Sequence, residues 1–386
     1  MSFSKINEKL CTVFLFIALF FNPIYKYCEN MLEFPRINIT AIYIIILILL
    51  IMVSLYSYKD FFENVPSSSF ILLIMVSLIQ LISFPWAIDY VHDGANSYFK
   101  VIARTIIQYW LFWFAGLYIH KIWKNDRFWK IMLILWFFAS CLIISNALSN
   151  NIFAIILSGK PIYLLLGDSF AILSIFILCK ADTNKKQFFI IALSSICLFA
   201  LFSRASLYCF IATILFFLYK KNKLLLIGTI CVSAIFMINS IDDIANDRMF
   251  RVFSGSFDKS QQMRSEQLNK GLEDLSDVWI LGSFMGDLEE NFGVKGNYMH
   301  NYLSFWRQFG IVPFLIFLSI IIPYILKTFY YWQKSYKNSG FLFLLFYLLV
   351  FSFLEIVLAR AFLTPYIWLS LSSLYVYFKS EKMNCK

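Results

Sequence analysis

Long apolar runs alternate with short polar segments along the whole chain. Each run is roughly 16–25 residues long, which is the length that an α-helix needs to cross the hydrocarbon core of a bilayer. The pattern therefore predicts an all-α, polytopic membrane protein of about twelve transmembrane helices. The predicted helices lie near residues 10–27, 37–57, 67–88, 98–119, 128–148, 161–179, 188–203, 205–219, 224–240, 301–326, 340–360 and 362–378.

One polar segment is much longer than the others, and it divides the chain into three parts. Residues 1–240 hold predicted transmembrane helices one to nine, residues 241–299 form a long external loop, and residues 300–386 hold helices ten to twelve and a cytoplasmic tail. The first apolar run follows only Lys5 and Lys9 and has no small-residue cleavage site after it. It is therefore predicted to be a retained helix and not a signal peptide.

The distribution of basic residues predicts the orientation. With the amino terminus inside, most of the 33 lysines and arginines fall in cytoplasmic ends and loops, whereas acidic residues outnumber basic ones in the long loop. The positive-inside rule then predicts that both termini are cytoplasmic and that the long loop is external. The net charge of +10 reflects this topology. No nucleic-acid partner is expected, because such a partner requires a basic patch on a soluble module.

The sequence carries none of the usual cofactor motifs. Its eight cysteines include no Cys-x-x-Cys pair, and it has no Walker loop, zinc signature or dinucleotide fingerprint. We therefore expect no cofactor, no metal site and no use of ATP by this chain.

Charged residues within the predicted helices are candidates for function, because an ionisable group at membrane depth is costly. All of them fall in the external half of the bilayer or at its outer edge, and five are basic against two that are acidic. They are Lys100, Arg104, Asp168, Arg204, Arg307, Glu355 and Arg360. This balance suggests an outward-facing chamber for an anionic ligand, and the planar fork of arginine suits phosphate oxygens.

Each of these residues also has a structural interpretation. The long alkyl chain of Lys100 could carry its charged end to the membrane interface. Asp168 could be a paired structural carboxylate, and Glu355 could pair with Arg360 slightly more than one turn away. Arg204, like Arg360, lies near the outer end of its helix without an adjacent acid. These two arginines are therefore the stronger candidates for ligand binding.

Of the three histidines, one stands at the junction between the long loop and the membrane. His92 falls in a short external loop and His120 at a cytoplasmic helix end, so both are interpreted as surface residues. His300 ends the long loop immediately before predicted helix ten. A neutral imidazole can accept a proton from a hydroxyl group near neutral pH, which makes His300 a candidate general base.

Three sequence motifs, one of them in two parts, resemble those of the superfamily of O-antigen polymerases and O-antigen ligases. Residues 296–311 read GNYMHNYLSFWRQFGI, in which His-Asn begins a helix and a glycine follows. Residues 263–272 and 279–286 are similar to the superfamily's arginine, short helix and Leu-Gly turn, and Ser203-Arg204 is similar to its Ser/Thr-Arg pair. The superfamily's functional residues carry over to Arg204, Arg264 and His300, whereas Arg104 and Arg360 are candidates because of intramembrane charge alone.

The resemblance implies an inverting, metal-independent glycosyltransferase in a bacterial inner membrane. Its donor would be a glycan on undecaprenyl pyrophosphate, and its acceptor the terminal sugar of another lipid-linked repeat unit. His300 would be the base and the arginines would bind the pyrophosphate. The implied partners, besides membrane lipid, are a chain-length regulator and a flippase.

Alternative functions stay open at this point. A ligase would transfer finished polymer to lipid A-core, but here the glycine follows His300 one residue sooner than in ligases, and Pro313 stands where a small residue is common. These differences favour a polymerase. A lipid-linked oligosaccharide flippase would need no loop of this size, and a structural partner of an assembly complex would give no reason for a histidine and several arginines to converge.

Overall fold

The computed structural model describes residues 3–31, 34–58, 65–83, 95–148, 162–201, 203–221, 223, 259–286, 299, 301–334, 340–358 and 364–384. All regular secondary structure in these ranges is helical, which confirms the all-α class for them. The helices are α1 (Phe3–Phe16), a π-helical turn (Ile17–Phe21), α2 (Asn22–Met31), α3 (Ile39–Tyr56), α4 (Ser67–Ile82), α5 (Ala95–Trp123), α6 (Asp126–Leu148), α7 (Ile162–Lys180), α8 (Asn184–Ala200), α9 (Arg204–Lys221), α10 (Lys259–Val278), α11 (Leu303–Phe309), α12 (Ile311–Lys334), α13 (Gly340–Leu358) and α14 (Pro365–Asn384).

Five stretches of helix in the described ranges are long and apolar enough to cross a membrane. They are Ser4–Asn30, Ile39–Tyr56, Asp126–Leu148, Ile311–Lys334 and Gly340–Leu358. The protein is therefore a helical, multi-pass membrane protein by the length and composition of its helices. The predicted helix at 224–240 lies outside the described residues, and the total of twelve spans stays a prediction.

The central helices are packed among their neighbours, whereas others expose apolar side chains. Most residues of α13 are buried, and its neighbour α14 is buried over much of its length. In contrast, Met52 and Leu55 of α3 and Ile134 and Phe138 of α6 are exposed. Exposed apolar rows of this kind are expected where helices face lipid.

Helices α5 and α14 approach each other closely in the core. A Cβ atom at Gly116 of α5 would lie 2.5 Å from the carbonyl oxygen of Leu369 in α14. Helices in membranes associate through small residues that let their backbones approach, and Ser370, Ser372 and Ser373 supply such residues on α14. This contact fixes α14 in the centre of the bundle.

The first helix contains a π-helical turn that the apolar pattern does not predict. The backbone N–H of Asn22 bonds to the carbonyl of Ile17, one residue beyond the usual α-helical partner. Pro23 follows immediately and has no N–H to donate, and its ring disfavours regular α-helix in the preceding turn. The wider turn accommodates the proline, and such turns are frequent at functional sites.

Predicted helix ten is broken in the structure. The apolar pattern predicts one helix over 301–326, but α11 ends at Phe309 and α12 begins at Ile311. Gly310 between them has φ +82°, a conformation that glycine adopts readily and other residues rarely do. The prediction of one continuous helix was therefore wrong because hydrophobic periodicity does not report a single residue of unusual φ.

Lysines lie over aromatic rings at one end of the bundle, here called the lysine–aromatic end. The Nζ atoms of Lys180, Lys220 and Lys327 lie 4.5, 5.4 and 3.8 Å from the ring centroids of Trp123, Trp332 and Phe378, respectively. Aromatic and basic side chains are enriched together where helices leave the hydrocarbon core. This end has the properties of a membrane–water interface.

Candidate functional site

A group of polar side chains lies inside the bundle toward the other end of the same helices. In α7, Asp168 precedes Lys180 by twelve residues, which corresponds to about 18 Å along a helix axis. The members of this polar cluster are Asn22, Tyr43, Asp168, Ser169, Ser203, Ser206, Glu355 and Tyr366. Each has a relative exposure of 9% or less.

Hydrogen bonds between hydroxyl groups and a carboxylate join α7 to α9 and α14. Ser206 donates to Oδ1 of Asp168, and the hydroxyl oxygens of Ser203 and Ser206 lie 2.7 Å apart. The hydroxyls of Ser169 and Tyr366 are 2.9 Å apart. Buried polar groups are stable only when they are hydrogen-bonded, so these contacts explain how the bundle tolerates Asp168.

Glu355 approaches the same tyrosine from α13. Both Asp168 and Glu355 lie within electrostatic range of the Tyr366 hydroxyl, and so does Tyr43 of α3. Tyr43 in turn is hydrogen-bonded to Asn22, the residue that closes the π-helical turn, and lies within range of Arg104. The polar cluster therefore gathers side chains from α2, α3, α7, α9, α13 and α14.

The two described candidate arginines lie at the edge of this cluster. Arg204, the first residue of α9, is half-buried, and Arg104 of α5 is exposed. Ser206 in the first turn of α9 places the Asp168 carboxylate at the positive end of that helix, which favours a negative charge there. Among the described residues, the interior of the cluster is thus acidic, whereas the sequence suggested a mainly cationic chamber.

A second polar structure is formed by the described end of the long loop, and we call it the loop platform. It comprises α10, residues 279–286, Met299 and residues 301–310. The backbone N–H of Ser283 bonds to the carbonyl of Arg307 at 2.7 Å, and the N–H of Met285 bonds to Oε1 of Gln308, also at 2.7 Å. Two of the sequence motifs are therefore in direct contact.

Two glycines allow this contact. Gly282, with φ +72°, and Gly310 meet backbone to backbone, so that a Cβ atom on Gly282 would lie 2.4 Å from the nitrogen of Gly310. A Cβ atom on Gly310 would lie 2.2 Å from the carbonyl oxygen of Ile280. Glycine is thus required at both positions for close approach as well as for its φ angle.

Arg307 is paired with a carboxylate of the loop platform. Its side chain is 1% exposed and donates from Nη2 to Oδ2 of Asp274 in α10 at 3.0 Å. The sequence grouped Arg307 with the cationic residues of predicted helix ten. The break at Gly310 instead turns α11 against α10, so the partner of Arg307 comes from the loop.

The remaining candidate residues are described in part or not at all. His300 and Arg360 lie outside the described residues. Arg264 is a residue of α10, seven positions before Gly271, but its side chain is outside the described part. The neighbours of His300 are placed, because Met299 packs against Gly271 and Oδ1 of Asn301 accepts from the backbone N–H of Leu303 at 2.9 Å.

Sequence reasoning did not single out Tyr366, Asn22 or Asp274. The pairs Asn22-Pro23 and Pro365-Tyr366 are local signals, since a proline within or at the start of an apolar helix can accompany a polar site. Asp274 had no such signal, because its partner is 33 residues away. Within the described residues, no group of three or more histidine, cysteine, aspartate or glutamate side chains could hold a metal ion.

The candidate functional residues therefore form two groups, a buried acidic cluster with arginines at its edge and a loop platform at the start of α12. In the cluster, the Asp168 carboxylate, the Tyr366 phenol and several hydroxyls form hydrogen bonds, and the Glu355 carboxylate lies within electrostatic range of Tyr366. Helices α10 and α11 hold the chain on both sides of residue 300. In comparison with known proteins, the chain matches no protein-family model and no curated protein.

Proposed function

We propose that the protein is a membrane glycosyltransferase, an O-antigen polymerase, that joins undecaprenyl-pyrophosphate-linked repeat units on the external face of the bacterial inner membrane. The observation that carries the proposal is the contact between the Leu-Gly turn around Gly282 and the end of α11 with Gly310. These are two of the three segments on which the resemblance to the polymerases rests. Their contact in space supports the view that they form one functional unit.

The proposed topology has twelve membrane helices, cytoplasmic termini and an external loop between helices nine and ten. It is supported by the lysine–aromatic end, which is where the positive-inside rule places the cytoplasm. The polar cluster and the start of α12 then belong to the external half. A substrate with its lipid in the bilayer and its sugars in the periplasm would meet both.

The proposed reaction is a displacement at the anomeric carbon of the donor sugar. The acceptor hydroxyl oxygen forms the new bond to this carbon, the bond to pyrophosphate breaks, and the configuration inverts. His300 takes the proton of the attacking hydroxyl, and the electron pair of the broken bond leaves with undecaprenyl pyrophosphate. Arg204 and Arg264, with Arg104 and Arg360, bind and neutralise the pyrophosphate.

Asn301 and Met299 support the role of residue 300 in this scheme. Oδ1 of Asn301 accepts from the backbone N–H of Leu303, the first residue of α11, and Met299 is 1% exposed against α10, so the chain is held on both sides of residue 300. A catalytic base must be held within hydrogen-bonding reach of the acceptor hydroxyl. Fixing both neighbours is one way to limit the positions that its side chain can take.

The test is the surface polysaccharide of a strain that lacks this protein. We expect lipid A-core carrying a single repeat unit, with long polymer restored by the wild-type gene on a plasmid. Bare lipid A-core with polymer still on the lipid carrier would instead identify a ligase. Loss of repeat units from the external face altogether would identify a flippase.

A further inference from the structure

Three adjacent apolar side chains on the loop platform are exposed. Trp279, Ile280 and Leu281, here called the apolar turn, are 50%, 53% and 81% exposed. Leu272 precedes Trp279 by seven residues, which places it on the same side of α10, and it is also exposed. Apolar area in water is unfavourable by about 25 cal/mol per Å², so a contiguous patch of this kind marks a contact surface.

The apolar turn is rigid. The carbonyl oxygen of Trp279 accepts hydrogen bonds from Nε1 of Trp306 at 2.8 Å and from the backbone N–H of Ile311 at 3.0 Å. Ile280 also contacts the backbone of Gly310. These contacts hold the exposed side chains beside the first residue of α12, so their position relative to that helix is fixed.

The patch is continuous with a surface that faces lipid. Ile311 is the first residue of α12, which is long and apolar enough to span the membrane. Val312 and Leu315, in the first two turns of α12, are exposed. The apolar turn lies at the same level as the amino end of this helix. Tryptophan is favoured at this depth, where the ring is in apolar surroundings and its N–H can bond to polar groups.

The other exposed side of α10 is charged. Glu266, Lys270, Glu273 and Asp277 are exposed and recur at helical spacing, so they form one stripe. On a helix of 3.6 residues per turn this stripe is rotated by more than 90° from Leu272 and Trp279. Thus α10 has one side that packs on α11, one charged side and one apolar exposed side. This arrangement suits a helix lying at a membrane surface.

We propose that the apolar turn and Leu272 insert into the bilayer at the amino end of α12 and anchor the loop platform to the membrane surface. The occupant of this surface is lipid, at the boundary between headgroups and acyl chains. Amphipathic elements of this kind insert to about 5–10 Å. The proposal depends on the position of the apolar turn beside α12 and not on the enzymatic activity.

The test is a measurement of depth in liposomes of phosphatidylethanolamine and phosphatidylglycerol. A nitroxide is attached at L281C, or at D277C as the matched control four residues away, in full-length protein whose native cysteines are replaced by serine or alanine. Collisions of each nitroxide with oxygen, which concentrates in lipid, and with a water-soluble nickel chelate are then compared. A second pair of variants, I280C and E273C, is used if the protein carrying either of the first two substitutions does not incorporate into the liposomes.

We expect a several-fold higher ratio of oxygen to nickel collisions at position 281 than at position 277. Nickel accessibility at 281 equal to that at 277 would place the turn in water and overturn the proposal. Low accessibility to both oxygen and nickel at 281 would show that protein, such as a second copy of this chain, covers the turn, and this result would also overturn the proposal.

Discussion

Arg204 illustrates how one residue can belong to a structural network and to a candidate binding site together. Two residues further along the chain, Ser206 donates to Asp168, so the first turn of α9 is tied to α7. Asp168 therefore acts as the structural carboxylate that the sequence allowed it to be. In our proposal it positions Arg204 at the edge of the polar cluster, where a pyrophosphate could reach the guanidinium.

The first residue-scale prediction concerns His300. His300→Ala should lower the rate of glycan transfer by about 10²–10⁴, because a general base is removed. The measurement is polymer length over time with purified, reconstituted protein. His120→Ala is the matched control, since His120 is half-buried beside Phe341 near the lysine–aromatic end. Near-normal polymerisation by the His300 variant would contradict its role as base.

The second prediction concerns the charge at Arg204 and Arg264. Lysine at either position should restore part of the activity that alanine removes, because a point charge attracts pyrophosphate but cannot form the bidentate contact. The effect should appear as a higher KM for the lipid-linked donor in the lysine variants. Full activity of both alanine variants would show that these arginines do not bind the donor.

The third prediction concerns the pair of Arg307 and Asp274. Asp274→Asn removes the carboxylate that pairs with Arg307, whose side chain is 1% exposed. The free energy of unfolding should fall by about 1.5–3 kcal/mol. Thermal unfolding in detergent would measure this loss. Asp277→Asn is the control, because Asp277 is exposed on the same helix. Equal melting temperatures for the two variants would mean that the ion pair contributes little to stability.

At the scale of elements, the crossing of Gly282 and Gly310 joins the loop to the membrane helices. Within the described residues, the apolar runs predicted where most of the helices lie, because burial in lipid requires long apolar runs. They could not predict the break at Gly310 or the pair of Arg307 with Asp274, because both depend on contacts between residues distant in sequence. The Asn22 contact to Tyr43 was missed for the same reason.

The fourth prediction tests this crossing. Gly310→Ala should destabilise the protein by at least about 1–3 kcal/mol, because φ +82° with ψ 173° is a region populated almost only by glycine. The added methyl would also meet the carbonyl oxygen of Ile280. Gly340→Ala is the matched control, since its Cβ would make only ordinary contacts, the nearest at 3.6 Å. The measurement is the melting temperature of each variant in detergent. Equal melting temperatures for the Gly310 and Gly340 variants would contradict the prediction that alanine is strained at position 310.

At the scale of the whole molecule, the two ends of the bundle differ in chemistry. Lysines and aromatic rings occupy one end, and the buried carboxylates and the loop platform occupy the other. The sequence predicted this polarity from the distribution of lysine and arginine alone. The placement of the acids inside and of Arg104 and Arg204 outside them could not be predicted, because burial depends on how the helices pack.

The fifth prediction concerns the energy source and the ions that the proposed reaction requires. Purified protein with lipid-linked repeat units should lengthen the glycan in excess chelator and without ATP, because arginines supply the positive charge that a divalent cation would supply elsewhere. The measurement is product length with and without chelator. Activity that is lost on chelation and restored specifically by a divalent cation would replace this mechanism with a metal-dependent one.

The crossing at Gly282 and Gly310 also limits how this protein could exchange parts with its relatives in evolution or in the laboratory. A chimera with a foreign loop up to residue 299 would lose the partners that residues 301–310 have in the native loop. Arg307 would lose its contacts with Ser283 and Asp274, and Gly310 would lose its contact with Gly282. Recombination should therefore tolerate junctions before α10 and after the first turns of α12, but not between them. Residues 259–315 would then be exchanged as one block.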